Sequence, residues 1–133
     1  MKHLFNVGDQ KTYTHRVKPE DFAAFNGEVV HSVYSTFSIT RDAEWCGRLF
    51  VLEMKEAHEE GIGTFVHIEH IAPAFEGEEV LFTATLEALK GNEIICAIKV
   101  CVGSRLVAKG STGQKVISKE KLNRYFELMK LGV

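Results

Sequence analysis

The chain has 133 residues, 45% of them hydrophobic, and its 16 lysines and arginines nearly balance 18 aspartates and glutamates for a formal net charge of -2. That length suits one domain, 1–133, around one core, and basic residues scattered along the chain leave no electrostatic case for a nucleic-acid or anionic-membrane partner. The first ten residues, MKHLFNVGDQ, lack the apolar run of about 7–15 residues that a secretory signal needs, and no stretch approaches the ~18 apolar residues of a membrane span, so a soluble, cytoplasmic protein is expected.

Residues Gln10 to Val17, QKTYTHRV, alternate loosely and are rich in Thr, Tyr and Val, which predicts a charged edge strand. Pro19 opens a brief helical turn with Glu20 and Asp21 in its acidic first turn and Phe22 and Phe25 on it, ended by Gly27. Glu28 to Tyr34, EVVHSVY, reads as a strand or an extended connection. From Phe37 to Glu59 there is no proline, and Ile39, Ala43, Cys46, Phe50, Met54 and Ala57 recur at spacings of three and four. The pattern predicts a helix about 33 Å long. Trp45, Leu49 and Leu52 add a second apolar flank, so this helix is expected to be wrapped by core on most sides.

Four strand candidates supply the wrapping: Ile62 to Ala72, Glu79 to Leu89, Glu93 to Val102 and Arg105 to Ile117. Gly91-Asn92 and Gly103-Ser104 are two-residue hairpin signals, so the last three form an antiparallel meander. Ser118 then caps a terminal helix whose apolar face is Leu122, Phe126 and Met129, stopped near Gly132. The order predicts an α+β fold in which a curved antiparallel sheet wraps one long central helix, and its edge strands need cover, which predicts a symmetric dimer. The three cysteines, Cys46, Cys96 and Cys101, are odd in number and contain no Cys-x-x-Cys pair, which suits free thiols in a reducing compartment.

Three side chains bear on chemistry. Thr36, at the mouth of the helix, stands where free backbone N–H groups and the positive helix end favour anions; Glu44 follows two turns later; His70, on the next strand, carries an imidazole, the side-chain type most often used as a general base. A hydroxyl, a carboxylate and an imidazole are what hydrolysis of an activated ester requires, together with donors for the developing oxyanion. Each has a plainer reading: Thr36 as a cap, Glu44 as a surface ion pair with Arg41 or Arg48, and His70 as a structural histidine; Gly63, at the head of the strand that carries His70, is by itself equally a bulge or strand start. On one regular helix Thr36 and Glu44 stand about 12 Å apart along the axis and about 80° apart around it, so convergence needs a fold-back or a second subunit. His67, Glu69 and His70 invite a metal reading, but His67 and His70 point to opposite faces of a strand, so a shared ion needs a bulge between them and no metal is expected.

The spacing of Thr36, Glu44 eight residues on, Gly63, and His70 seven beyond that, with Ile71-Ala72-Pro73 before Gly77 and Val80, resembles the hotdog-fold thioesterases, and more narrowly the fluoroacetyl-CoA thioesterase group. The resemblance runs from about Gly8 to Phe126. It implies a hotdog fold, an acyl-CoA thioesterase that hydrolyses a small acyl-CoA thioester without metal or cofactor, and a site between the subunits of a homodimer that can assemble further. By it, Thr36, Glu44 and His70 are catalytic, and the Gly63 backbone N–H and Gln114 contact substrate. Two positions depart from the group: Val30 stands where it has an aromatic gate, with Phe25 and Tyr34 the nearest aromatics, and Gln114 stands where it has an arginine. These departures leave room for an alternative, a non-catalytic acyl-CoA-binding or ligand-sensing module. A hydratase on the same fold lacks its Asp and His pair here.

Overall fold

The computed structural model describes residues 1–132. In chain order it contains β1 (Gln10–Arg16), a 3-10 turn at Pro19–Asp21, β2 (Phe22–Phe25), β3 (Glu28–Tyr34), α1 (Thr36–Met54), β4 (Glu59–His70), β5 (Glu79–Lys90), β6 (Glu93–Val102), β7 (Arg105–Ser118) and α2 (Lys119–Lys130). Five strands form one antiparallel sheet in the order β1-β5-β6-β7-β4, while β2 and β3 form a separate hairpin. The expected α+β arrangement is present, with α1 packed against the five-stranded sheet. Ile39, Ala43, Cys46, Phe50 and Met54 are fully buried on the helix face that meets Phe82, Ala84, Leu86, Val100 and Ala108 of the strands.

The second apolar flank of α1 is not buried as expected. Trp45 is 42% and Leu52 40% exposed, so the helix is covered on one side and open on the other. It also stops at Met54 rather than Glu59, because Lys55 is extended and the N–H of Glu59 closes a turn onto the carbonyl of Glu56 at 3.0 Å. From Glu59 onward the backbone pairs with β7, and that ladder overrides the helix propensity of Lys-Glu-Ala. The face of α2 read as apolar is likewise open, with Phe126 and Met129 exposed, although Ser118 caps the helix as expected by accepting from Lys121 N–H at 3.1 Å.

Phe22 and Phe25, read as part of a helical turn, belong to strand β2. Asn26 (φ 52°) and Gly27 (φ 80°) supply the two left-handed residues of a tight hairpin turn, for which Asn-Gly is the favoured pair. The β2–β3 hairpin stands beside the entrance to α1, with Phe25, Val29 and Val30 exposed on it. Among the described residues no helix is long and apolar enough to cross a membrane.

Strand β4 lies at one edge of the sheet and carries an extra residue. Gly63 pairs with Gln114 and Phe65 with Gly113, which leaves Thr64 without a partner as a bulge. Residues seven apart on a regular strand face opposite sides. Here the bulge removes one step, so Gly63 and His70 face the same side as their partners Gln114 and Ala108, both buried toward α1.

The close approach of β4 to β7 also depends on Gly110, where an added Cβ runs into the backbone carbonyl of His67. A Gly110→Ala substitution therefore has to part the two strands. It is expected to destabilise the fold by about 3 kcal/mol, read as a lowered midpoint in urea denaturation.

Candidate active site

Residue by residue, the chain turns from β3 into α1 through Tyr34, Ser35 and Thr36. The cap is Ser35, one position ahead of the expected one: its hydroxyl accepts the N–H of Ser38 at 2.9 Å and leaves the Thr36 hydroxyl free of the capping role. Thr36 is the first residue of α1, and its Oγ1 lies 2.9 Å from Nδ1 of His70, the last residue of β4. The other ring nitrogen, Nε2, lies 2.9 Å from the carbonyl oxygen of Ala72. A carbonyl only accepts, so Nε2 bears the hydrogen; in the neutral ring Nδ1 then accepts from the Thr36 hydroxyl. The hydroxyl proton thus points at a basic lone pair, the geometry of an oxygen prepared to lose it.

One short segment fixes both partners. The carbonyl of Ala72 orients the imidazole, and that of Ala74 accepts the backbone N–H of Tyr34 at 2.9 Å. Ser35 is held from the opposite side, its N–H donating to the carbonyl of Asp21 at 2.9 Å.

Glu44 does not join this pair within the chain. Its carboxylate lies against Gly63, where an added Cβ stands 2.5 Å from Oε1. Both arginines read as its ion-pair partners are engaged elsewhere, Arg41 with Asp21 at 3.1 Å and Asp42 at 2.9 Å, and Arg48 with Glu60 at 3.0 Å. Gln114 is only 3% exposed, behind Gly63, with its amide Nε2 3.5 Å from the Glu44 carbonyl. The structure therefore presents two separate pairs, Thr36 with His70 and Glu44 with Gly63. Thr36 sits in the wall of a cavity of about 620 Å³ under the β2–β3 hairpin, with Phe22, Phe25, His31 and Arg41, whereas Glu44 and Gly63 line a smaller depression of about 240 Å³ with Thr64 and Phe65. A third hollow, lined by Phe37, Arg41, Glu44 and Trp45, follows the exposed face of α1 between them.

Beneath the hairpin lies a buried polar cluster that the sequence reading did not single out. Asp21 and Asp42 are 4% and 5% exposed. Burial by itself raises the Asp21 carboxyl, but the Lys18 backbone N–H, His15 and Arg41 outweigh it and hold the group below its ordinary value. Burial, then the hydrogen bond to Asp42 and its charge, push the Tyr34 phenol far above its usual range, so it remains a donor. The thiols offer no competing nucleophile in the core: burial pushes Cys46 up to about 11 and Cys96 up to about 12. Among the described residues no group of three or more His, Cys, Asp or Glu is arranged to hold a metal ion, and His67, paired with Ser111, faces away from His70, paired with Ala108.

Of the expected site residues, then, Thr36 and His70 meet, Glu44 and Gly63 meet, and Gln114 backs the second pair. The Ala72 carbonyl was missed because no side chain announces a backbone acceptor. Asn26-Gly27 did announce the hairpin that roofs the cavity.

Residues 17–120 match the family described as fluoroacetyl-CoA-specific thioesterase (FlK). A comparison with curated proteins finds no match. Among solved structures, a hypothetical protein of Thermus thermophilus described as a thioesterase superfamily member is 30% identical, covering 94% of this chain and 93% of that one, with a TM-score of 0.89. A hot-dog-like protein from Thermanaerovibrio acidaminovorans is 21% identical over 95% of this chain and 93% of its own, with a TM-score of 0.86. A point mutant of FlK in complex with fluoroacetate and CoA is 22% identical over 89% of this chain and 99% of its own, with a TM-score of 0.81. The architecture is the hotdog fold, and with more than half of its length matched the chain belongs to the fluoroacetyl-CoA-specific thioesterase family, a group of thioester hydrolases.

Proposed function

We propose that this protein hydrolyses a small acyl-CoA thioester to the free acid and CoA, in a site assembled from two copies of the chain. The observation that carries the reading is the 2.9 Å contact of Thr36 Oγ1 with His70 Nδ1, made while Nε2 is committed to Ala72. His70 takes the proton of the attacking oxygen, whether that of Thr36 or of a water that Thr36 holds. The Gly63 backbone N–H faces the developing oxyanion, and Glu44 beside it handles the hydrolytic water. The departing CoA thiolate recovers the proton from the imidazolium. Gln114 supports Gly63 from behind. FlK with fluoroacetate and CoA bound on the same fold supports CoA as the carrier. Val30 in place of the aromatic gate separates this chain from fluoroacetyl selectivity.

Assembly from two copies answers the separation of the half-sites. Gly63 and His70 stand about 20 Å apart along β4, too far for one thioester to span. The free edge of β4 borders the exposed apolar residues Phe65, Phe37 and Trp45. Pairing β4 antiparallel with its own copy about an axis near Val66 and His67 brings Gly63 of one copy alongside His70 of the other, the isologous contact of a homodimer. Three unbonded cysteines suit a cytoplasmic location.

Release of free thiol from a panel of short-chain acyl-CoAs tests the activity. A protein that is thermally stabilised by acyl-CoA and releases no thiol is a binding module instead. His70→Ala is expected to lower turnover by about 10²-fold or more, measured in the same assay. Gly63→Ala meets only the movable end of Glu44, so it should keep its Tm while losing turnover by about tenfold or more. Mixing and refolding inactive His70→Ala and Glu44→Ala chains should restore about a quarter of the wild-type activity, since each mixed dimer retains one intact composite site. No recovery places the whole site within one chain.

A further inference from the structure

The cluster under the hairpin is not among the residues assigned to that chemistry above. Asp21 Oδ2 accepts from the Lys18 N–H at 2.9 Å and meets His15 Nε2 at 2.8 Å, while Oδ1 accepts from Arg41 Nη2 at 3.1 Å. Arg41 also donates to both oxygens of Asp42, from Nε at 3.0 Å and Nη2 at 2.9 Å, and Asp42 in turn accepts from the Tyr34 hydroxyl. His15 stacks on the Tyr34 ring at 5.6 Å and faces the Tyr13 hydroxyl at 3.4 Å. Two nearly buried carboxylates, a guanidinium and an imidazole from β1, the 3-10 turn and α1 thus converge in the wall behind one catalytic pair.

Burying such groups is seldom a source of net stability, since desolvation offsets most of the attraction. What the cluster does accomplish is mechanical. It fixes the two residues directly ahead of Thr36: Tyr34 through its hydroxyl on Asp42, and Ser35 through its N–H on the Asp21 carbonyl. Ser35 then caps the helix whose first residue is Thr36. Displacing this anchor swings the Thr36 hydroxyl relative to His70, which is held independently by Ala72.

We propose that Asp21 is a positioning residue for the hydrolysis: its carboxylate, clamped between His15, Arg41 and Lys18, holds the chain ahead of Thr36 so that the Thr36 hydroxyl meets His70. The inference rests on the catalytic reading of that pair. It separates Asp21 from the residues that line the cavity, because Asp21 is not among them and so acts on the rate of the step rather than on binding.

The test compares Asp21→Asn, which keeps the shape and an acceptor for Lys18 but removes the charge, with Ile98→Val, a core truncation on β6 away from the cluster. Asp21→Asn is expected to lower kcat about tenfold or more with KM within about threefold, and to shift the 15N resonance of His70 Nδ1. Ile98→Val, compared at equal loss of Tm, should leave kcat and the resonance unchanged. Retention of kcat in Asp21→Asn, or a parallel loss in Ile98→Val, overturns the proposal. If the unaltered protein releases no thiol from any acyl-CoA, the hydrolase reading fails, and the resonance still decides the positioning role: moved in Asp21→Asn supports it, unmoved overturns it. Should Asp21→Asn not fold, His15→Gln reaches the same carboxylate from β1 and is read in the same way.

Discussion

Two carbonyls in one short connection, those of Ala72 and Ala74, frame the contact between Thr36 and His70 on which the candidate site depends. The first fixes the hydrogen of His70 on Nε2, and the second fixes Tyr34 and with it the entry to α1. Thr36 and His70 are 34 residues apart in the chain, yet each is referred to the same few backbone atoms. Their 2.9 Å contact is framed by that connection and by the Asp21 carbonyl, which accepts the N–H of Ser35 just ahead of Thr36. Backbone carbonyls are well suited to this task, since they orient an imidazole without competing for its proton.

Much of the architecture was legible because burial imposes periods. Ile39, Ala43, Cys46, Phe50 and Met54 repeat at helical spacing and are fully buried, and the glycines at positions 91 and 103 mark the turns of the meander at positive φ. The misreadings came where two local codes disagree. Lys55, Glu56 and Ala57 are good helix formers, but the ladder between β4 and β7 claims the backbone from Glu59 onward. Phe22 and Phe25 looked like a helical turn after Pro19, while Asn26-Gly27 specified a hairpin that takes Phe22 into pairing with Tyr34. Trp45 looked like core by hydrophobicity and is open to solvent beside Glu44, on the face assigned above to a second copy.

The candidate site was legible in its side chains and not in its division. The types and spacings of Thr36, Glu44, Gly63 and His70 pointed to ester chemistry, and helix geometry already warned that Thr36 and Glu44 stand too far apart. No pattern of residue types discloses that the Ser35 hydroxyl takes the cap and thereby releases Thr36. Nor does any periodicity disclose that the fold buries Asp21 and Asp42 together against Arg41 and Tyr34. Long-range polar contacts are set by tertiary neighbours, and those are invisible in a local window.

The unpaired residue in β4 has a consequence for how this segment tolerates change in length. With Thr64 looped out, the stretch from Gly63 to His70 holds one more residue than its ladder requires. Loss of a single codon in that interval can be taken up by straightening the strand, and the glycine and the imidazole still look toward the helix. The strand thus carries a spare link, and the relation between the ends of the interval is protected against a frame-preserving deletion that an unbroken ladder would turn inside out.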